Sequence, residues 1–313
     1  MIQRSILIPF FLFPLFGYAG EGGGSTGFDI LRQPVGGRPA AMGGAFTAVS
    51  GDLYGLAFNP AGLADVKDRE VALTYVDRFM DIKSGFIGYG QALGAGGRIG
   101  FSVAYTNYGE MRRTDVTGND QGGFTPGDFV VTAGYASRLT MGLRYGIALK
   151  YVYSKIDQYA AGAVAADIGI LYPVENQNAS IGLSILNVGA STDAFVEAKE
   201  KLPLAYRLGA STRLAHLPLL LSFHLIRYHY EESDLFLGLY WALGGEFTIT
   251  EHFFLRWGYN SRGSEEKTGA NEDRFAGVSL GLGFRFRDMR LDVGMGSHGA
   301  LGMMSHFSFL MPL

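Results

Sequence analysis

Six histidines, two Ser–His neighbours and one glycine-rich string are the places where this chain could do covalent or metal chemistry, and their spacing argues against each. His216, His224, His229, His252, His298 and His306 nowhere stand four apart, so no helical turn offers a zinc-binding pair. His224 and His229 fall on opposite faces of a strand. Ser297–His298 and Ser305–His306 are adjacent in sequence, and adjacent strand residues point to opposite faces, which keeps a hydroxyl away from the base it would need. Gly294-Met-Gly-Ser-His-Gly299 matches the dinucleotide fingerprint as a string. That motif needs a following helix and further strands, and 14 residues remain after Gly299. With no cysteine there is no thiol chemistry and no disulfide framework. Neither catalysis, nor a cofactor, nor a metal is expected.

Another set of residues carries charge rather than reactivity. Arg98, Arg144, Lys150, Asp167, Arg207, Arg213, Arg256 and Arg285, with Glu246, alternate with large apolar residues and share their parity with small ones. Such residues face a watery lumen, where they pair with acids and with backbone carbonyls, or hold an inner segment or an anionic head group. Glu110, Arg112, Arg113, Asp115, Glu265, Glu266 and Lys267 read as a solvated rim.

The elements that must position these residues are strands. Leu143, Tyr145, Ile147, Leu149, Tyr151 and Tyr153 interleave with Arg144, Gly146, Ala148, Lys150, Val152 and Ser154. Strand side chains alternate between faces, so one face is greasy and the other small and polar. Ile99, Phe101, Val103 and Tyr105 oppose Arg98, Gly100, Ser102 and Ala104, and Val278 to Phe286 repeat the pattern. The pattern predicts fourteen strands: 70–77, 84–93, 97–108, 128–139, 143–156, 162–173, 179–190, 204–214, 218–230, 235–249, 252–261, 273–286, 289–297 and 301–312. Even-numbered connections are short, and the long ones, Gly109 to Gly127, Ser191 to Pro203 and Arg262 to Glu272, are all odd-numbered. Short periplasmic turns and longer outer loops are the habit of outer-membrane barrels.

Bulk properties agree. Mean hydropathy is +0.13, yet no internal run approaches the ~20 apolar residues of a membrane helix. Glycine, 46 of 313 residues, is about twice its usual ~7% share, which suits small inward positions. A net charge of −3 gives no reason to expect a nucleic-acid partner. Residues 1–19 read as a signal peptide: Arg4 is the positive start, Ile6 to Phe16 the apolar core, and Gly17-Tyr18-Ala19 the cleavage site. Pro9 and Pro14 in that short core argue against a membrane helix.

Residues 20–68 break the alternation. Gly37 to Val49 is built of small residues, with Pro39 near a helix start, and could be helical if closely packed. Asn59 can cap a turn that begins at Pro60 and ends at Gly62. We read 20–68 as an N-terminal hatch and 69–313 as the barrel.

Within that segment Arg38, Ala40-Ala41, Met42-Gly43-Gly44-Ala45, Asp52 and Asn59-Pro60-Ala61-Gly62-Leu63 resemble the PorV/PorQ family of outer-membrane proteins, part of the wider FadL-like barrel superfamily. The motif spans about 30 residues. The resemblance implies a fourteen-stranded barrel with a hatch in the bacterial outer membrane, surrounded by outer-membrane lipid. It also implies one of two roles. PorV-like members act in type IX secretion, with secretion-system proteins or secreted cargo as partners; FadL-like members pass long-chain fatty acids or other hydrophobic compounds through the hatch and a lateral wall opening. Outer-membrane barrels usually end in an aromatic residue, whereas this chain ends Phe307-Ser-Phe-Leu-Met-Pro-Leu313. The leading expectation is a secretion component, the alternative a transporter of hydrophobic compounds, and the third a barrel without transport.

Overall fold

Every main-chain polar group in a lipid-spanning strand must find a partner within the protein, and a sheet does this throughout only by closing on itself. This chain does so. The structure is a computed structural model that describes residues 26–174, 178–197, 199–229, 239–269 and 271–313. The expected leader, residues 20–25 and the first part of the strand placed at 235–249 lie outside the described residues.

The first three barrel strands are β1 (Arg69–Asp77), β2 (Lys83–Ala92) and β3 (Arg98–Asn107). A short hairpin, β4 (Met111–Thr114) and β5 (Asp120–Phe124), stands in the following loop. The barrel resumes with β6 (Gly127–Arg138), β7 (Arg144–Ile156), β8 (Tyr159–Val174), β9 (Ala179–Ser191) and β10 (Ala205–Arg213). It ends with β11 (Leu219–Tyr228), β12 (Leu239–Thr248), β13 (Phe253–Asn260), β14 (Val278–Phe286), β15 (Met289–Ser297) and β16 (Met303–Pro312). Each of these fourteen strands pairs antiparallel with its neighbours, and β16 closes against β1 from Glu70–Pro312 to Asp77–Ser305.

Two strand-level expectations need correction. The long loop from Gly109 to Gly127 carries the β4–β5 hairpin, because Asp115 Oδ1 accepts the N–H groups of Thr117 and Asn119, both at 2.9 Å, and turns the chain. The strand placed at 273–286 begins only at Val278. Asp273 Oδ2 accepts from Thr268 N and Gly269 N, both at 2.7 Å, which winds Asn271–Phe275 into a 3-10 turn.

The outer face is apolar. Leu73, Ile87, Val103, Leu149, Ile168 and Leu282 are exposed, while their neighbours Ala72, Ser102, Ala148, Asp167 and Gly283 point inward and are buried. A continuous band of this kind is at home in lipid rather than in water. Aromatic pairs sit near both rims: Phe129 and Tyr153 at 5.4 Å towards the long loops, Tyr135 and Tyr145 at 6.3 Å towards the short turns. No helix among the described residues is long and apolar enough to cross a membrane.

Residues 26–68 lie inside the barrel. They form a 3-10 turn (Asp29–Arg32), α1 (Gly37–Ala41), α2 (Gly55–Phe58) and a second 3-10 turn (Pro60–Asp65). The helix envisaged over Gly37 to Val49 lasts little more than a turn, because Gly43 and Gly44 take left-handed φ values of 64° and 79° and end it. Met42, Phe46, Leu53, Tyr54, Leu56 and Leu63 are fully buried.

Room for this segment comes from inward glycines that face each other across strand pairs: Gly146–Gly169, Gly182–Gly209, Gly244–Gly258 and Gly281–Gly294. A Cβ on Gly146 would overlap Pro60, one on Gly182 Thr47, one on Gly258 Met42 and Gly43, and one on Gly294 Gly37. The high glycine content is thus a contact surface.

Candidate functional site

Strand parity sends a charged residue inward, and an inward charge in a packed lumen must find a partner. Six residues pair by charge in a closed ring. Arg38 of α1 grips Glu246 of β12 through Nε at 2.7 Å and Nη2 at 2.9 Å. Glu246 accepts from Arg256 Nε of β13 at 2.7 Å, and Arg256 reaches Asp292 of β15 at 2.8 Å. Asp292 pairs with Arg290 at 2.7 Å, Arg290 with Asp52 at 2.6 Å, and Asp52 with Arg38 at 3.3 Å. Three guanidiniums and three carboxylates, all buried, join the inner segment to three wall strands. Burial pushes the Asp52 carboxyl up, but Arg290 and Arg38 together hold it below the usual carboxylate range.

A second anchor lies one turn on. Asn59 Oδ1 accepts from Ala61 N at 3.1 Å, capping the 3-10 turn that starts with Pro60. Its Nδ2 donates to Thr47 O at 2.9 Å and to Ile170 O of the wall at 3.0 Å. Gly62 N closes the turn on Asn59 O at 2.9 Å, and Gly62 O receives Gly51 N at 3.1 Å. Wall serines supply the remaining donors: Ser184 to Phe58 O, Ser211 to Ala48 O and Ser279 to Ala41 O.

Asp65, at the end of the segment, is clasped by Arg144 at 2.7 Å and Arg138 at 2.8 Å and accepts from Ser50 at 2.6 Å. Burial opposes its ionisation, while the Arg144 and Ser50 hydrogen bonds and the two guanidinium charges hold its carboxyl below the usual range. Arg98 Nε donates to Val66 O.

Lys150 and Asp167 pair with each other at 2.7 Å at the one irregularity between β8 and β9. Asn187 there has φ 63°; it accepts from Lys150 at 2.9 Å and donates from its backbone N to Asp167 at 2.8 Å. Arg213 and Arg285 line a vestibule of about 560 Å³ on the short-turn side, where Arg285 lies over the Phe254 ring at 5.0 Å.

On the long-loop side the inner segment floors a second cavity of about 180 Å³. Gly43, Gly44, Ala57 and Phe58 form the floor; Arg207, His224, Ile226 and Tyr240 stand in the wall; Arg262 and His298 reach over from the rim. Arg207 lies over the Phe58 ring at 5.3 Å, and His224 Nδ1 meets Thr47 Oγ1 at 3.2 Å.

Sequence reading placed Arg38, Asp52, Arg256 and Glu246 among the inward or hatch charges but did not foresee that they meet. It missed Arg290 and Asp292, although both share the parity of the inward Gly294. It also missed Asn187, whose signal is a lone amide in the apolar run Ile185-Leu186-Asn187-Val188. Gly294 to Ser297 ends β15 and Gly299–Leu301 is a 3-10 turn, so the fingerprint-like string is a strand running into a turn. Among the described residues no group of three or more His, Asp or Glu is placed to hold a metal ion.

The fold, an antiparallel barrel of fourteen strands with residues 26–68 inside it, is similar to that of several solved membrane channels. A deltaS2S3 mutant of the monoaromatic hydrocarbon channel TodX superimposes with a TM-score of 0.61 at 13% identity, over 90% of this chain and 98% of that one; TodX is a toluene transporter of Pseudomonas putida. The toluene transporter TbuX of Ralstonia pickettii gives 0.59 at 15%, over 90% and 98%. A FadL homologue from Pseudomonas aeruginosa gives 0.52 at 11%, over 88% and 97%. The chain belongs to the family described as Uncharacterised protein family (UPF0164), whose model matches residues 18–202. No curated protein matches it in sequence.

Proposed function

We propose that this protein is an outer-membrane channel for small hydrophobic compounds and that residues 26–68 act as its hatch. The observation that carries the reading is the 180 Å³ cavity, which lies between the inner segment and the outer loops and is floored by Phe58 and walled by Ile226 and Tyr240. An apolar cavity of about 150 Å³ holds benzene, so the volume and the apolar part of the lining suit one aromatic ring. The likeness in fold to proteins titled toluene transporters supports the same size class. A compound entering between the long loops meets the cavity first. The six-residue ion ring then fixes the hatch beneath it, so passage depends on how that floor or the adjoining wall yields. The leader exports the chain, the apolar band meets membrane lipid, and no residue is assigned a catalytic role.

The secretion role is the second reading. It rests on the Met42-Gly43-Gly44-Ala45 and Asn59-Pro60-Ala61-Gly62 resemblance to PorV/PorQ proteins, and in it the outer loops, with the β4–β5 hairpin, would receive a protein partner. Native mass spectrometry of the full chain extracted in mild detergent, with a pull-down from the same cells, separates the two. The channel reading expects a retained hydrophobic small molecule and no secretion subunit. A stoichiometric secretion-channel subunit with an empty barrel would replace it by the second reading. Neither would leave a barrel without transport.

A further inference from the structure

The cavity above the inner segment is not uniformly apolar. Arg207 of β10 and His224 of β11 both line it, are 6% and 1% exposed, and project from neighbouring strands, where Arg207 pairs with Ile226 and Gly209 with His224. Two of the guanidinium nitrogens of Arg207, Nε and Nη1, have no hydrogen-bond partner, and neither has His224 Nε2. Among the described residues, the one carboxylate that lines the cavity, Asp29, is engaged by Arg32 at 2.7 Å and lies 3.9 Å from Arg262. Asp167, the nearby inward acid on β8, is held by Lys150 at 2.7 Å.

A buried guanidinium with unused donors is costly unless an anion completes it. A neutral hydrocarbon cannot do so. We infer that the cavity is built for a small monocarboxylate, with an aromatic or compact aliphatic body lying on Phe58, Ile226 and Tyr240 and its carboxylate accepting from Arg207 and, through Nε2, from His224. This inference rests on the channel reading above and names the substrate class of the same site. Phe58 has two tasks here: its ring holds the guanidinium by a cation–π contact, and it belongs to the inner segment, so the anion site exists only while that segment is seated. Size sets the other limit. At about 180 Å³ the cavity takes one ring and its carboxylate, and a long acyl chain does not fit within it.

The test uses the full chain in detergent and two water-soluble ligands of one shape, benzoate and its neutral isostere benzamide, titrated by calorimetry. Wild type is expected to bind benzoate roughly tenfold or more tightly than benzamide, the scale of a charge-assisted pair. In Arg207→Met that ratio is expected to fall to near one, and Arg207→Lys, which keeps the charge, to restore part of it. Heat-modifiable gel mobility reports whether each variant is folded. Should Arg207→Met not fold, the wild-type ratio decides alone. Equal binding of the two ligands by wild type, or a preference for benzoate that survives in folded Arg207→Met, overturns the carboxylate assignment. If wild type binds neither ligand yet raises the uptake of toluene by cells, the carboxylate assignment falls and the channel stands. If it binds neither and raises no uptake, both fall.

Discussion

Asp52 bears on two buried guanidiniums, Arg38 and Arg290, whereas Asp65 meets the more exposed Arg138 and Arg144, and that makes Asp52 the most consequential carboxylate in the inner segment. Removing its charge leaves Arg38 and Arg290 buried and partly unmatched. Breaking a buried pair in this way costs about 3–5 kcal/mol. Asp52→Asn is therefore expected to lower the thermal unfolding midpoint in detergent by a large margin, whereas Asp288→Asn, which loses a pair with the exposed Lys67 at 3.3 Å, leaves it nearly unchanged. Acid should act through the same groups. The carboxyls of Asp52 and Asp65 are held below their ordinary value of 3.8, so their stabilisation is complete above that pH and is lost as pH falls through the lower folded values. A melting temperature that drops as pH falls below about 4 is the expected profile. A midpoint that shows no drop below about pH 4 contradicts the ring. Asn59→Ala removes a cap and two carbonyl contacts and should cost about 1–2 kcal/mol. At this scale the sequence was only half legible. Arg38, Asp52 and Arg256 could be named because inward charges stand out among small residues. Their pairing could not, because it depends on residues more than 200 positions apart, such as Arg38 and Glu246.

The strands were readable because each obeys one rule, the alternation of faces, which local sequence carries in full. The strand at 179–190 in the sequence reading is Ala179–Ser191 in the structure, and that at 289–297 is Met289–Ser297. Errors fell where a side chain rather than periodicity shapes the backbone. Asp273 captures two amides and delays β14, and Asp115 turns the β4–β5 hairpin. The inner segment was readable as different but not as a shape, since its short helices exist only against the wall. The glycine pairs link the two kinds of element. Gly258→Ala would push a Cβ into the backbone of Met42 and Gly43 and should cost about 1–3 kcal/mol as overpacking. Gly85→Ala, whose Cβ would meet only Thr74 O at 3.9 Å, should change stability by less than ~0.5 kcal/mol. Urea titrations of the folded barrels measure the contrast, and equal effects would mean that the inner segment does not press on the wall.

For the whole molecule, the greasy exterior and the packed interior imply opposite exposures to reagent. The chain has no cysteine, so single substitutions report cleanly. Leu282→Cys on the outer face should react with a lipid-soluble maleimide in membranes and resist a water-soluble one, and Thr47→Cys should resist both until the protein is denatured. Fold class and strand number were legible at this scale because a barrel repeats one pattern many times. The role was less so, since a short motif in residues 38–63 was compatible with two roles and the cavity is assembled from many separated stretches of chain, from Asp29 to His306. The most direct measurement of the central claim is uptake of radiolabelled toluene by cells carrying the protein in their outer membrane, compared with cells carrying Ala57→Phe, which fills the floor of the cavity. The account predicts a gain of about twofold or more in initial rate over cells without the protein, and loss of that gain in the folded variant. A wild-type protein that is folded, inserted and gives no gain contradicts it.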